Sequence, residues 1–385
     1  MGLVPGRLSV SWETRGPMER QPRVAITLEQ CWHSVPGGTA RAALESIRAL
    51  QSFSQIEMVG VSARHSSPPP AAWLPSLPVE QLPFPRLVLY EAWHRLRRPA
   101  VERATGPVDV IHATGMAVPP PSAPLVVTVH DLAFLRDPSQ FTRRGVSFFH
   151  RAIELARRDA TLVICPSQAT MDECLEHGFV PDRLRLVPWG IEIDPKDGEA
   201  VLATRSRFGI SGRYVLWAGT IEPRKNLPVL LEAFARFVPT DVTLVLAGPQ
   251  GWNEQIDYQL SQLGHRVRSV GFVEPHALKA LYAGADVFCF PSRQEGFGLP
   301  VLEAMAQGTA VITSAGTATE EVVGECGVVV EPSDAEALGA AMQKVLGDDQ
   351  LRGRLGEAGR IRADTVFSWK ATSDALASVY REAAG

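Results

Sequence analysis

Residues 289–308 read CFPSRQEGFGLPVLEAMAQG, and the rest of the chain takes its meaning from them. The apolar run 286–290 predicts a buried strand that breaks at Pro291-Ser292. Two close glycines follow, and the chain restarts at Pro300 as a helix, where a missing N–H costs nothing. Gly308 is a natural stop. Between these limits stand two carboxylates eight positions apart, Glu295 in the loop and Glu303 in the expected first helical turn. A glycine loop feeding a helix N-terminus presents backbone N–H groups to an anionic or hydroxyl-rich ligand.

The surrounding chain repeats this alternation. A strand at 23–28, the turn Pro36-Gly-Gly-Thr39 and an amphipathic helix to about Leu50 open a doubly wound α/β arrangement. Gly37 and Gly38 permit close backbone approach to a ligand, although a Gly-Gly pair alone is equally a tight turn. The proline-rich segment 66–86 reads as an extended excursion, and a helix follows near 87–98. A β-branched run at 125–131 predicts a strand buried on both faces that ends on His130 and Asp131. Ligands in open α/β sheets bind at the carboxyl ends of strands, which places His130 well for chemistry; a structural histidine is the alternative. Further strands are expected at 57–61, 109–112, 162–167 and 184–191, and then, beyond a polar hinge at 192–197, at 214–219, 242–248, 267–272, 286–290, 310–314 and 327–330.

After the strand 214–218 comes Gly219-Thr-Ile-Glu-Pro-Arg-Lys-Asn-Leu227. Adjacent cations, Arg224 and Lys225, where a strand gives way to a helix suit a diphosphate. The turn at Glu295 and Glu303 supplies acceptors for hydroxyls. A ligand with both kinds of group is a nucleotide sugar.

Composition narrows the field. At 385 residues the chain suggests two domains. A net charge of −4 argues against nucleic acid as partner. Five scattered cysteines without a CxxC pair fit reduced thiols. With no apolar run long enough to span a bilayer, the expected location is cytoplasmic. A helix at 141–159 carrying Arg143, Arg144, Arg151, Arg157 and Arg158 offers peripheral contact with the inner face of the plasma membrane, or else a solvated face with local ion pairs. Residues 1–21 read as a loose extension in which Met18 is an alternative start.

With these pieces together, the sequence resembles the retaining glycosyltransferases of family 4. The matching segments are Pro36-Gly-Gly-Thr39, Thr128-Val-His-Asp-Leu132, Cys165-Pro-Ser-Gln168, Glu222-Pro-Arg-Lys-Asn-Leu227, Gly271-Phe-Val273, the 291–305 stretch and Phe367-Ser-Trp369. The resemblance implies a GT-B fold of two Rossmann-like domains facing a cleft. It implies an acceptor domain at 22–193, a donor domain at 194–367 and a last helix, 368–385, crossing back to the first. It assigns Glu303 to the ribose, Arg224 and Lys225 to the diphosphate, and Glu295 with the N–H groups of Gly296, Phe297 and Gly298 to the sugar. Gly37, Gly38, Gly219, Val273 and Leu299 complete the donor contacts, and His130 lies near the reacting carbon. No metal or cofactor is expected. The donor would be a nucleotide diphosphate sugar, with mannose ahead of glucose or N-acetylglucosamine, and the acceptor is unnamed. Thr220 stands where many relatives have Arg, and Trp189 where they often have Asn. A UDP-N-acetylglucosamine 2-epimerase, an isomerase on the same architecture, is the rival reading.

Overall fold

The structure is a computed structural model that describes residues 21–33, 36–194, 197–251 and 256–385. Part of the expected hinge, residues 195–196, and residues 1–20 of the expected N-terminal extension lie outside the described residues. Two parallel sheets organise the chain. The first contains β1 (Arg23–Thr27), β2 (Glu57–Ser62), β3 (Val79–Gln81), β4 (Val110–Ala113), β5 (Leu125–Thr128), β6 (Leu162–Cys165) and β7 (Leu184–Leu186), in the order β3-β2-β1-β4-β5-β6-β7. The second contains β8 (Tyr214–Ala218), β9 (Thr243–Ala247), β10 (Val267–Gly271), β11 (Val287–Phe290), β12 (Ala310–Ser314) and β13 (Val328–Val330), in the order β10-β9-β8-β11-β12-β13. Order reverses at β1/β4 in one sheet and at β8/β11 in the other, the crevices where ligands enter such sheets. Central strands such as LVVT and VFCF are buried end to end, as helices on both faces require.

Several expected boundaries move for identifiable reasons. The run 125–131 does not stay extended: after Val129 N–H donates to Ile164 O at 2.9 Å, the Asp131 carboxylate accepts from Ala133 N–H and starts the short helix Ala133–Arg136. His130 therefore sits on a loop beyond β5. The strand expected through Ile191 ends at Leu186. The excursion 66–86 holds structure unforeseen in its prolines, a single turn at Ala71–Trp73 and the edge strand β3. The helix near 87–98 is a helix Arg86–Glu91 continued by a wider turn, Ala92–Leu96. Glu303 belongs to the second turn of the helix Leu299–Ala306 and not the first.

The final helix, Trp369–Ala384, packs along the helix Gly37–Phe53 of the first unit. Its Tyr380 hydroxyl is hydrogen-bonded to His112 of β4 at 2.8 Å, and Thr372 donates to Pro188 O at 2.8 Å. Among the described residues no helix is long and apolar enough to cross a membrane.

Candidate active site

The two turns singled out in the sequence meet directly. Arg293 N–H donates to Arg224 O at 2.8 Å and the Ser292 hydroxyl to the same carbonyl at 3.0 Å. Asn226, whose positive φ of 57° is one asparagine tolerates, donates its side-chain amide to Pro291 O at 3.0 Å and to Pro332 O. The turn after β8 is thereby stitched to the turn after β11.

This stitching forces the charged side chains together. Lys225 Nζ lies 2.6 Å from Glu295 Oε1, and an Arg224 terminal nitrogen lies 3.0 Å from Glu295 Oε2. Arg224 Nε reaches Glu222 at 2.6 Å, and the Ser292 hydroxyl donates to Glu295 at 2.6 Å. Glu295 and Lys225 side chains are each only 8 % exposed, so their protonation is set by one another. Burial alone would push the Glu295 carboxyl up; Arg224 and Lys225 outweigh it and hold it down at about 2. Burial and the neighbouring Arg224 lower the Lys225 ammonium, with Glu295 opposing them. Two cations and two carboxylates leave the cluster formally neutral.

Glu303 is held from the other side of the cleft. A terminal nitrogen of Arg41, on the helix Gly37–Phe53, forms an ion pair with its Oε1. Buried Tyr282 sits against the same carboxylate, which helps raise its hydroxyl well above the usual range after burial itself. Sequence reading missed Arg41. The available signal was a cation in the second turn of a helix whose N-terminal end favours anions.

His130 lies opposite Glu295's loop. Its Nε2 is 2.9 Å from Thr114 O, and burial lowers its pKa, so the ring is neutral at physiological pH. Gly296 packs so tightly on this segment that a Cβ would stand 1.8 Å from His130 O. Its carbonyl accepts from Ser167 Oγ at 2.7 Å and Thr170 Oγ1 at 3.0 Å. Gly298, at φ 104°, starts the next helix, and a Cβ there would meet Thr319 at 2.6 Å. Phe297 is buried, with its ring edge-on to Phe367. A further tie crosses at Glu321, whose carboxylate accepts from Gln168 and Ala169 N–H at the start of the helix Gln168–Glu176.

The remaining sequence candidates divide. Gly37 and Gly38 are exposed in the first turn of their helix, with Gly38 facing Leu299 across the cleft. Gly219 N–H is already committed to Ala247 O at 2.9 Å, so its backbone donor is not open to a ligand. Val273 is buried just past β10. Of the arginines on the helix Arg143–Asp159, Arg151 pairs with Glu91, Arg158 with Asp159, and Arg157 donates to His177 O.

Two cavities open here, one on Glu303 and one on Arg224 and His130. One, of about 610 Å³, is lined by Arg41, Tyr282, Leu299, Glu303, His276 and Lys279. The other, of about 400 Å³, has Glu222, Arg224, His130 and Asp131 at one end and aromatic side chains along its walls. Among the described residues no group of three or more His, Cys, Asp or Glu is placed to hold a metal ion. One cavity thus carries the Glu303 carboxylate, and the other ends on Arg224 and a neutral imidazole.

Comparison with known proteins agrees. Residues 205–362 match the family described as glycosyl transferases group 1, and residues 36–195 match glycosyltransferase family 4. O-antigen chain mannosyltransferase B of Escherichia coli is 30% identical over 71% of this chain and 74% of its own. The MMP alpha-(1->4)-mannosyltransferase of Mycolicibacterium hassiacum is 31% identical over 72% of this chain and 71% of its own. The D-inositol 3-phosphate glycosyltransferase of Xylanimonas cellulosilytica is 29% identical over 95% of this chain and 98% of its own. In three dimensions, HepE from Anabaena, solved in complex with UDP and glucose, superposes with a TM-score of 0.74 at 20% identity, covering 94% of this chain and 100% of that one. Such relatives leave the isomerase reading without support. The chain belongs to the group 1, family 4 glycosyltransferases, is built on their GT-B fold, and is a hexosyltransferase.

Proposed function

We propose that the enzyme moves a hexose, mannose before glucose or N-acetylglucosamine, from a nucleotide diphosphate sugar to an acceptor hydroxyl with retention of anomeric configuration. The observation that carries this reading is the buried Arg224–Lys225–Glu295 cluster, with Arg224 and His130 lining one cavity and Glu303 lining another. The nucleoside occupies the first, with its ribose hydroxyls on Glu303. The diphosphate meets Arg224 and Lys225, and the sugar lies between Glu295 and His130. Two relatives bear mannosyltransferase names, and one structural neighbour was solved with UDP-glucose, which supports a nucleotide-sugar donor.

In the reaction the bond from the anomeric carbon to the diphosphate oxygen breaks, and a bond from that carbon to the acceptor oxygen forms on the same face. The acceptor's proton passes to the departing diphosphate. No protein nucleophile is required. Arg224 and Lys225 stabilise charge accumulating on the leaving group, and the neutral His130 ring and the loop dipoles steady the oxocarbenium-like sugar. On this reading the two cations supply the neutralisation a divalent metal gives elsewhere. A screen of GDP- and UDP-sugars, read as nucleotide released, tests the proposal. Release from GDP-mannose above the others is expected, and no release from any member of the screen refutes it.

A further inference from the structure

The 400 Å³ cavity beside Arg224 is walled by Trp93, Met116, Phe134, Phe141, Phe148 and Phe149. These rings form a connected surface: Phe149 lies 5.2 Å from Phe134 and 5.9 Å from Phe141, and Phe148 stacks on His94 at 4.3 Å. Phe141, Phe148 and Phe149 are only half-buried, and all three line the cavity.

The polar groups of the same walls are largely satisfied within the protein. The Glu29 carboxylate accepts from Ala63 N–H at 2.8 Å and is hydrogen-bonded to His65 at 3.0 Å. The Gln30 amide donates to Thr114 Oγ1 at 2.7 Å, and the Trp93 indole N–H to Pro99 O at 3.0 Å. His130 is bound to Thr114 O, as above. A bare sugar entering here would exchange its water shell for aromatic faces and committed hydrogen bonds, an unfavourable trade. An apolar group entering would gain about 25 cal/mol for each Å² it removes from water. The charged groups gather at one end, at Arg224, Glu222 and Asp131, where a nucleophilic hydroxyl must arrive.

We propose that the acceptor is an amphiphile: a hydroxyl-bearing head joined to an apolar body, with the body seated against Phe134, Phe141, Phe148 and Phe149. This rests on the transferase reading and names its second substrate's chemical class. The volume suits a ring or a short branched chain, at the lower end of the range for small-molecule sites. A longer tail leaves past His33, Tyr90 and Phe148 into a shallower depression bordered by Arg86 and Arg144.

The test uses the full chain and three probes sharing one hexose head: the methyl, octyl and phenyl hexosides, each below any micellar concentration. Binding is followed by tryptophan fluorescence without donor, and transfer by nucleotide release from the donor that the enzyme consumes. The octyl and phenyl hexosides should bind at least tenfold more tightly than the methyl hexoside and show the same preference in KM. Phe149→Ala should cut that preference below threefold. Met116→Trp, which fills the cavity and leaves the Phe149 packing intact, should do the same and covers the case of a Phe149 variant that does not fold. Equal affinity for all three probes, or an undiminished preference in whichever variants fold, overturns the proposal. Nucleotide release without preference overturns it alone, whereas preference without nucleotide release from any donor overturns it together with the transferase reading.

Discussion

Lys225→Met removes one cation from the cluster and leaves a side chain of similar length in a buried slot. Glu295 then retains the Arg224 contact at 3.0 Å and the Ser292 hydroxyl at 2.6 Å, so its carboxylate is weakened but not stranded. Breaking a buried ion pair usually costs about 3–5 kcal/mol of stability, and the two surviving partners bring the expected loss to about 1–3 kcal/mol. The effect on catalysis is separate. Lys225 sits over the Phe290 ring at 4.7 Å, and in the proposed role this fixed cation needs no reorganisation as charge builds on the leaving diphosphate. One lost charge-assisted contact is worth about 1.5–3 kcal/mol, which is roughly ten- to 150-fold in kcat/KM. Because the contact strengthens in the transition state, most of the loss should fall on kcat. Steady-state nucleotide release over a range of donor concentrations reads the effect, and a thermal melt with and without nucleoside diphosphate confirms that the variant is folded. A folded variant with kcat/KM within threefold of the parent refutes the role given to Lys225.

Arg41→Ala should raise the donor KM by about fivefold, roughly 1 kcal/mol, with less change in kcat, because a partly exposed ion pair orients Glu303 without touching the reacting bond; a lowered KM would mean that Arg41 competes with the ribose. Glu303→Ala should cost at least about tenfold in kcat/KM, and near-normal turnover removes it from the site. Exhaustive chelation followed by assay in metal-free buffer should leave turnover unchanged within twofold, and restoration of lost activity by Mg²⁺ or Mn²⁺ would sink the metal-independent reading. Stability should fall as pH drops. Burial lowers buried His94 to about 4 and His112 to about 3, against an ordinary 6.5, so each binds its proton more readily when unfolded. Their contribution is present above 6.5 and is lost as pH falls through those folded values; Glu295, at about 2 against 4.5, adds a further loss below pH 4.5. Urea midpoints that stay level between pH 7.5 and 4 would refute this.

The meeting of the two charged turns was legible because its signals are local. Arg224 and Lys225 are adjacent, and Glu295 and Glu303 are separated by one turn and one helix, so residue type at fixed spacing carried the reading. The sheets were legible for a similar reason, since strands buried on both faces spell continuous β-branched runs. Arg41 was not legible, because its partner lies 262 positions away and only the packing of one half on the other brings them together. Neither was the aromatic cavity. Its walls come from residues 93, 116, 134 and 141–149, and each ring read singly is an ordinary core residue. The end of β5 was misjudged because Val129-His130-Asp131 has strand composition, while the side chain of Asp131 captures a backbone N–H and turns the chain.

The neutral cluster has a consequence for how donor binding and domain contact are linked. A diphosphate entering between Glu222, Arg224, Lys225 and Glu295 has no uncompensated cation waiting for it; it must share Arg224 and Lys225 with carboxylates already bound to them. Glu295 is fixed by Ser292 from its own turn, and its loop is clamped through Gly296 to Ser167 and Thr170 of the opposite unit. Glu303 is likewise fixed by Arg41 of the opposite unit, and Glu321 by the backbone at Gln168. Glu222, Glu295, Glu303 and Glu321 are therefore held either by Arg224 and Lys225 or by the other half of the molecule. A ligand that redistributes those bonds alters the affinity of one half for the other, and by linkage the closeness of the two halves alters the affinity for the ligand. The Arg41–Glu303 pair is one point where that coupling can be cut without removing Arg224, Lys225 or Glu295.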